Sequence, residues 1–146
     1  MLRYSDWPER LSNFVRQRRD TPFEWGKSDC CLFAMDAVNT INGSDPAHYF
    51  RGQYSTMRAA FKLLKEFSGG GVEETVEKVF MDMGCKQVPM ELSNSGDVVL
   101  LEVEMVHPEA HGLTAGILFD KTMAIVQGTN GLVYVDNPDI KRVWAI

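Results

Sequence analysis

An α+β fold, with helices first and an antiparallel sheet after them, is the architecture this sequence of 146 residues predicts. Through the first half, apolar residues recur at helical spacing; after Gly84 they fall into short extended runs rich in β-branched and aromatic side chains. Asn130-Gly131, between two such runs, is the dipeptide favoured by a type I′ hairpin turn, so the flanking strands should pair antiparallel.

The first helix starts where Asp6 and Glu9 have the spacing of a capping box, with Pro8 in the first turn, where its missing N–H costs little. Trp7, Leu11, Phe14 and Val15 then share one stripe, leaving Arg16, Arg18 and Arg19 toward water near the negative end of the dipole. Pro22 and Gly26 mark residues 19–27 as a loop into a second helix over residues 32–41 with two cysteines at its start. Its Leu32, Phe33, Met35, Ala37, Val38 and Ile41 leave little polar surface beyond Asp36 and Asn39, which predicts a central, mostly buried helix stopped by Asn42-Gly43.

Residues 45–52 read as a short helical turn inside a connecting loop, after which Ser55 caps a third helix carrying Met57, Ala60, Phe61, Leu64 and Phe67. Gly69, Gly70 and Gly71 end it. Glu73 and Glu74 complement the dipole of a fourth helix built on Val72, Val76, Val79, Phe80 and Met83, in which Met81 and Met83 are expected to pack, and Gly84 terminates it. Strands are expected over residues 98–103, 114–119, 123–126, 132–135 and 141–146.

With 45% apolar and 24% charged residues the chain can bury one good core, and residues 1–146 are read as a single domain. A formal charge of −5 and a pI near 5.2 argue against nucleic acid or an anionic membrane as the main partner, since both demand a basic face. The glycine triplet lacks the Lys-Ser/Thr of a phosphate loop, and no cofactor is expected. Neighbouring Cys30 and Cys31, about 3.8 Å apart at Cα, are too close for a relaxed disulfide, which with Cys85 as third cysteine implies folding in a reducing cytosol. Asp6, Glu9 and Arg10 stand where a signal peptide needs an apolar core, and no run reaches the ~18 apolar residues of a membrane span.

Chemistry concentrates in Trp25-Gly26-Lys27-Ser28-Asp29-Cys30-Cys31, which puts a thiol where a loop becomes a helix. A helix start offers unpaired N–H groups and the positive end of the peptide dipole, which favour thiolate over thiol and can hold an oxyanion. Cys30 is therefore a candidate nucleophile, although a cysteine at such a place also serves as a small buried hydrophobe. Cys31, about 100° further round the helix, and Cys85 read as packing residues. Asp29 is most simply the N-cap, and its carboxylate would raise the neighbouring thiol's pKa. His111 reaches Cys30 only by a shifted strand start or a loop folded back at Gly112; His48 and His107 read as solvated or locally bonded. His107 and His111 lie at metal-ligand spacing near Glu102 and Glu104, but Pro108 breaks the helix such ligands need, and no metal site is expected.

The stretch Phe23-Glu24-Trp25-Gly26-Lys27-Ser28-Asp29-Cys30-Cys31-Leu32 resembles the cysteine motif of the NlpC-type cell-wall peptidases, which have a papain-like fold. Ser95-Gly96-Asp97-Val98-Val99-Leu100 and Ala115-Gly116-Ile117-Leu118 are similar to that family's first two core strands, so the resemblance spans about residues 23–135. With Asp45-Pro46-Ala47, Arg51-Gly52-Gln53-Tyr54, Gly131 and Trp144, the pattern looks closest to a phage-encoded NlpC-like group whose members tend to be encoded among tail genes. The resemblance makes Cys30 the nucleophile position and puts Cys31 where the family most often has serine. It also puts Thr114 where the family has its general-base histidine, and a threonine hydroxyl cannot take a proton from a thiol at neutral pH. The residue that orients the histidine falls near Val126 or Gln127, of which Gln127 can serve.

Two functions follow as expectations. In the favoured one the fold is a phage tail module, at the tail tip or in tail assembly, made in the host cytoplasm and carried in the virion tail. It has little or no hydrolase activity and contacts other tail proteins through its acidic surface and the aromatic loop 49–54. In the other, the protein is a cysteine peptidase or amidase acting on peptidoglycan stem peptides. Cys30 attacks the carbonyl, His111 shuttles the proton, Gln127 or a backbone carbonyl steers the imidazole, and Trp25 and Tyr54 wall a substrate cleft that includes Asp29 and Thr114.

Overall fold

The computed structural model describes residues 2–104 and 112–146. Helices α1 (Trp7–Arg18), α2 (Cys30–Asn42), α3 (Met57–Ser68) and α4 (Val72–Asp82) come first. Strands β1 (Gln87–Val88), β2 (Val98–Glu102), β3 (Leu113–Asp120), β4 (Met123–Gln127), β5 (Leu132–Asp136) and β6 (Asp139–Trp144) then form one antiparallel sheet of order β1-β6-β2-β3-β4-β5. The α+β class and the order of helices before sheet are as the sequence predicts.

Helix α2 lies between layers, packed on α1 at one side and on β3 and β4 at the other. Leu32, Phe33, Ala37, Val38 and Ile41 have no exposed surface, and burying each of the larger ones contributes roughly 1.5–3 kcal/mol. Strand β2 shows why its sequence is continuously apolar rather than alternating: Val98 and Leu100 join the cluster under the helices, while Val99 and Leu101 join a second cluster with Leu118, Val126 and Val143.

Local chemistry departs from expectation at several places. Asp6 makes no cap; its carboxylate takes the Arg10 guanidinium at 2.7 Å, because a cation one turn on competes with the helix N–H groups. Thr56, one residue after Ser55, caps α3 by accepting the Ala59 N–H. Arg18 turns from solvent onto Asp36 of α2 and stacks over Phe14. Met81 is 53% exposed, so only Met83 of the methionine pair packs against the core. The β4–β5 connection spans residues 128–131, closed by the Gly128 N–H on the Gly131 carbonyl, and Asn130 lacks the positive φ that a type I′ turn demands. Gly131 is required there for a different reason: at φ +145 a Cβ would sit 2.3 Å from the Arg19 carbonyl oxygen. The two-residue β1, paired with β6 at Val143 and Trp144, is too short for alternation to reveal.

Asp97 closes the fold from below. Only 1% exposed, it pairs with Arg3 at 2.8 Å and accepts the N–H groups of Asn94 and Ile146, joining both chain ends to the turn before β2. Asp97→Ala would leave the mostly buried Arg3 guanidinium without its counter-charge, holding only the Ser95 and Ile146 carbonyls, and two N–H groups without their acceptor. A loss of about 3–5 kcal/mol is expected. Denaturant unfolding beside the exposed-pair variant Asp6→Ala checks it, the latter being expected to leave the midpoint nearly unchanged.

Candidate functional site

The loop before α2 is held by its own backbone. Gly26 adopts φ +83, and a Cβ there would fall 1.9 Å from the Tyr54 carbonyl oxygen, so only glycine permits this approach. The Gly26 carbonyl accepts the Gly52 N–H at 2.9 Å, tying the loop to the segment before α3. Asp29, extended at φ −90 and ψ 176, caps α2 by accepting the Leu32 N–H at 3.0 Å. Its second oxygen accepts the Gly26 N–H at 3.0 Å and the Tyr54 hydroxyl at 2.6 Å. The carboxyl is 2% exposed; burial raises its pKa, and the three donors pull the other way. Burial and the adjacent Asp29 charge also push the Tyr54 phenol up, so it stays a donor.

Cys30 is the first residue of α2 and half-buried, while Cys31 behind it is buried. The Cys30 thiol is shifted down, foremost because the Cys31 S–H donates to it, with the Thr114 hydroxyl and the Ala115 N–H as further donors; burial and Asp29 oppose them. The Cys31 thiol is pushed well up by the same contact and by burial. Cys31 is packed in the cluster beneath the helices, as the sequence reading expects. Cys85 is raised by burial.

A cavity of about 250 Å³ opens over these groups between the α2 start, α3, the α4 start and the first residues of β3. Phe23 and Trp25 meet edge to face at 4.7 Å between centroids, and Trp25 and Phe61 at 6.3 Å, giving a continuous aromatic wall. Phe61 belongs to the apolar stripe of α3 yet is 41% exposed, because that stripe runs from the core to the mouth of the cavity. Leu64, Val72 and Leu113 extend the wall, and Glu73 lies at its rim. Of the residues expected at the site, Cys30, Trp25, Asp29, Tyr54 and Thr114 all line this cavity. The sequence reading missed Phe61, Val72 and Glu73, whose signal was that of ordinary helix residues.

Gln127, wholly buried at the end of β4, directs its amide nitrogen to the carbonyls of Thr21 at 2.8 Å and Gly128 at 2.9 Å. Its Oε1 has no partner among the described residues. His48 is on the surface, 4.0 Å from Asp45. His107 and His111 lie outside the described residues. Among the described residues, no three His, Cys, Asp or Glu side chains converge as a metal site, and no helix is long and apolar enough to cross a membrane.

The chain belongs to the family described as Domain of unknown function (DUF6950), whose model matches residues 2–146. No curated protein matches it.

Two outcomes follow from the site. Asp29→Ala removes the cap of α2 and leaves the Tyr54 hydroxyl and the Gly26 N–H without an acceptor; a loss of about 2–4 kcal/mol by chemical denaturation is expected, and Tyr54→Phe should cost less, about 1–2 kcal/mol. Alkylation rates against pH, resolved by peptide mass, should place the Cys30 midpoint below that of Cys85. Cys31→Ala should move the Cys30 midpoint upward, since the thiolate loses its main donor. Equal midpoints for Cys30 and Cys85 would refute the assignment.

Proposed function

We propose, starting from a family description that assigns no activity, that the chain is a papain-like module of the NlpC kind, kept as a structural part of a phage tail with little hydrolase activity of its own. The observation that carries this reading is the hydroxyl of Thr114 against Cys30. Amide cleavage needs a group that takes the thiol proton and returns it to the leaving nitrogen. A threonine hydroxyl donates to a thiolate but has no basicity near neutral pH, and losing general acid–base help costs typically 10²–10⁴-fold. The tail assignment rests on the resemblance described above, and the net charge of −5 suits protein contacts better than nucleic acid.

A second reading, a cysteine peptidase or amidase acting on peptidoglycan stem peptides, has its own support in the lowered Cys30 thiol at the floor of a cavity. Oε1 of Gln127, without a partner among the described residues, is an acceptor of the kind that orients an imidazole, and His111 would be the base. Release of soluble fragments from purified peptidoglycan separates the two. Wild type and Cys30→Ala should give the same background trace, and Thr114→His should gain Cys30-dependent release, up to about 10²-fold. Release by wild type that Cys30→Ala abolishes would make the protein an enzyme and end the structural reading.

A further inference from the structure

The cavity over Cys30 has walls that say what it can hold. Resting on the reading of it as a ligand pocket, we propose that it takes an uncharged apolar group beside the thiol, an aromatic or branched aliphatic side chain of a peptide with the adjoining amide carbonyl over Cys30, and that it excludes carboxylates.

Three observations carry this. The wall of Phe23, Trp25 and Phe61, continued by Leu64, Val72 and Leu113, is aromatic and aliphatic, so apolar surface is what matches it best. The polar groups at the floor are already engaged: Asp29 accepts three donors, and the Tyr54 hydroxyl is spent on Asp29. Finally, the charge of the pocket is negative. Among the described residues its lining holds Asp29 and Glu73 and no lysine or arginine. The Arg142 guanidinium, 3.8 Å from Glu73, lies 3.1 Å from Glu77 and is shared between the two carboxylates. A carboxylate entering beside Cys30 would lose hydration, meet no lysine or arginine among the described lining residues and face like charge.

Phe61 is the residue left exposed at the mouth, which is where a guest would cover it. Glu73, 40% exposed in its side chain, sets the sign of the rim.

The test uses the full chain in two arms. In Cys30→Ala, backbone amide shifts of lining residues are followed while N-acetyl-phenylalaninamide or the α-amide of N-acetyl-glutamic acid is added. The neutral aromatic ligand should bind at least 10-fold more tightly. Glu73→Gln should recover about 3-fold for the acidic ligand alone, and Phe61→Ser, an exposed change that leaves the fold intact, should weaken the aromatic ligand about 10-fold. Equal or tighter binding of the acidic ligand, or no shift at lining amides with either, overturns the inference. In the second arm wild type is alkylated with N-phenylmaleimide and with 3-maleimidopropionate, each rate divided by that for glutathione. A ratio above 10 in favour of the phenyl reagent at Cys30 supports the proposal, and a ratio near 1 opposes it. Discrimination in the first arm with an inert Cys30 in the second would sink the reactive-thiol reading while leaving the pocket's selectivity standing.

Discussion

The Asp29 carboxylate accepts the Leu32 N–H, the Gly26 N–H and the Tyr54 hydroxyl, and so joins the start of α2, the loop before it and the segment before α3 at one point. The first bond fixes where α2 begins. The second fixes the turn that carries Trp25, and the third brings in the segment before α3. A carboxylate buried to this degree is costly unless each oxygen is satisfied, and here each one is. The position of Cys30 is a consequence: with the cap residue held from three sides, the next residue has little choice but to present its side chain at the mouth of the helix. Gly26 belongs to the same arrangement, because any Cβ there would collide with Tyr54 and part the two segments.

Around Cys30 the donors are of one kind. The Cys31 S–H, the Thr114 hydroxyl and the Ala115 N–H all stabilise a negative sulfur, against burial and the Asp29 charge. None of them is a base near neutral pH. Stabilising a thiolate and moving a proton are separate tasks, which an imidazolium performs together and these groups do not. A thiol so placed is suited to attack on carbonyls or electrophiles whose leaving group departs without a proton. It is poorly suited to amides, whose nitrogen must be protonated as it leaves. Cys31 is unusual among these donors, since its own proton is held more firmly than that of an ordinary thiol.

Much of this was legible in the sequence because it is local. Asp29 as cap, the buried stripe of α2 and the strands with one or both faces covered follow from spacing over a few residues. The nearness of Thr114 to Cys30 was legible only through resemblance, being a contact between residues 84 positions apart (114 minus 30). Failures arose where two local rules competed or where a distant partner decided. Asp6 had the spacing of a cap but a cation at i+4. Arg18 had the look of a solvated arginine, and only the packing of α1 on α2 put Asp36 beside it. Asn130-Gly131 signalled a two-residue turn, yet the Arg19 carbonyl lies against Gly131, a contact no dipeptide statistic contains.

That contact also explains how the cavity keeps its shape. The loop between α1 and α2 would be free to move if only its last residues were held. Its first residues are held by β4, β5 and the connection between them: Leu132 donates its N–H to Arg19, Gln127 its amide to Thr21, and Phe23 its N–H to Thr129. Each of these bonds precedes the Asp29 cluster in the chain, so the aromatic wall formed by Phe23 and Trp25 is pinned on both sides. A wall fixed by backbone hydrogen bonds does not need to be ordered by its guest, which removes part of the cost of binding. It also cannot yield to a guest of the wrong polarity. The far end of the sheet thus sets what may approach the thiol, although it never touches it.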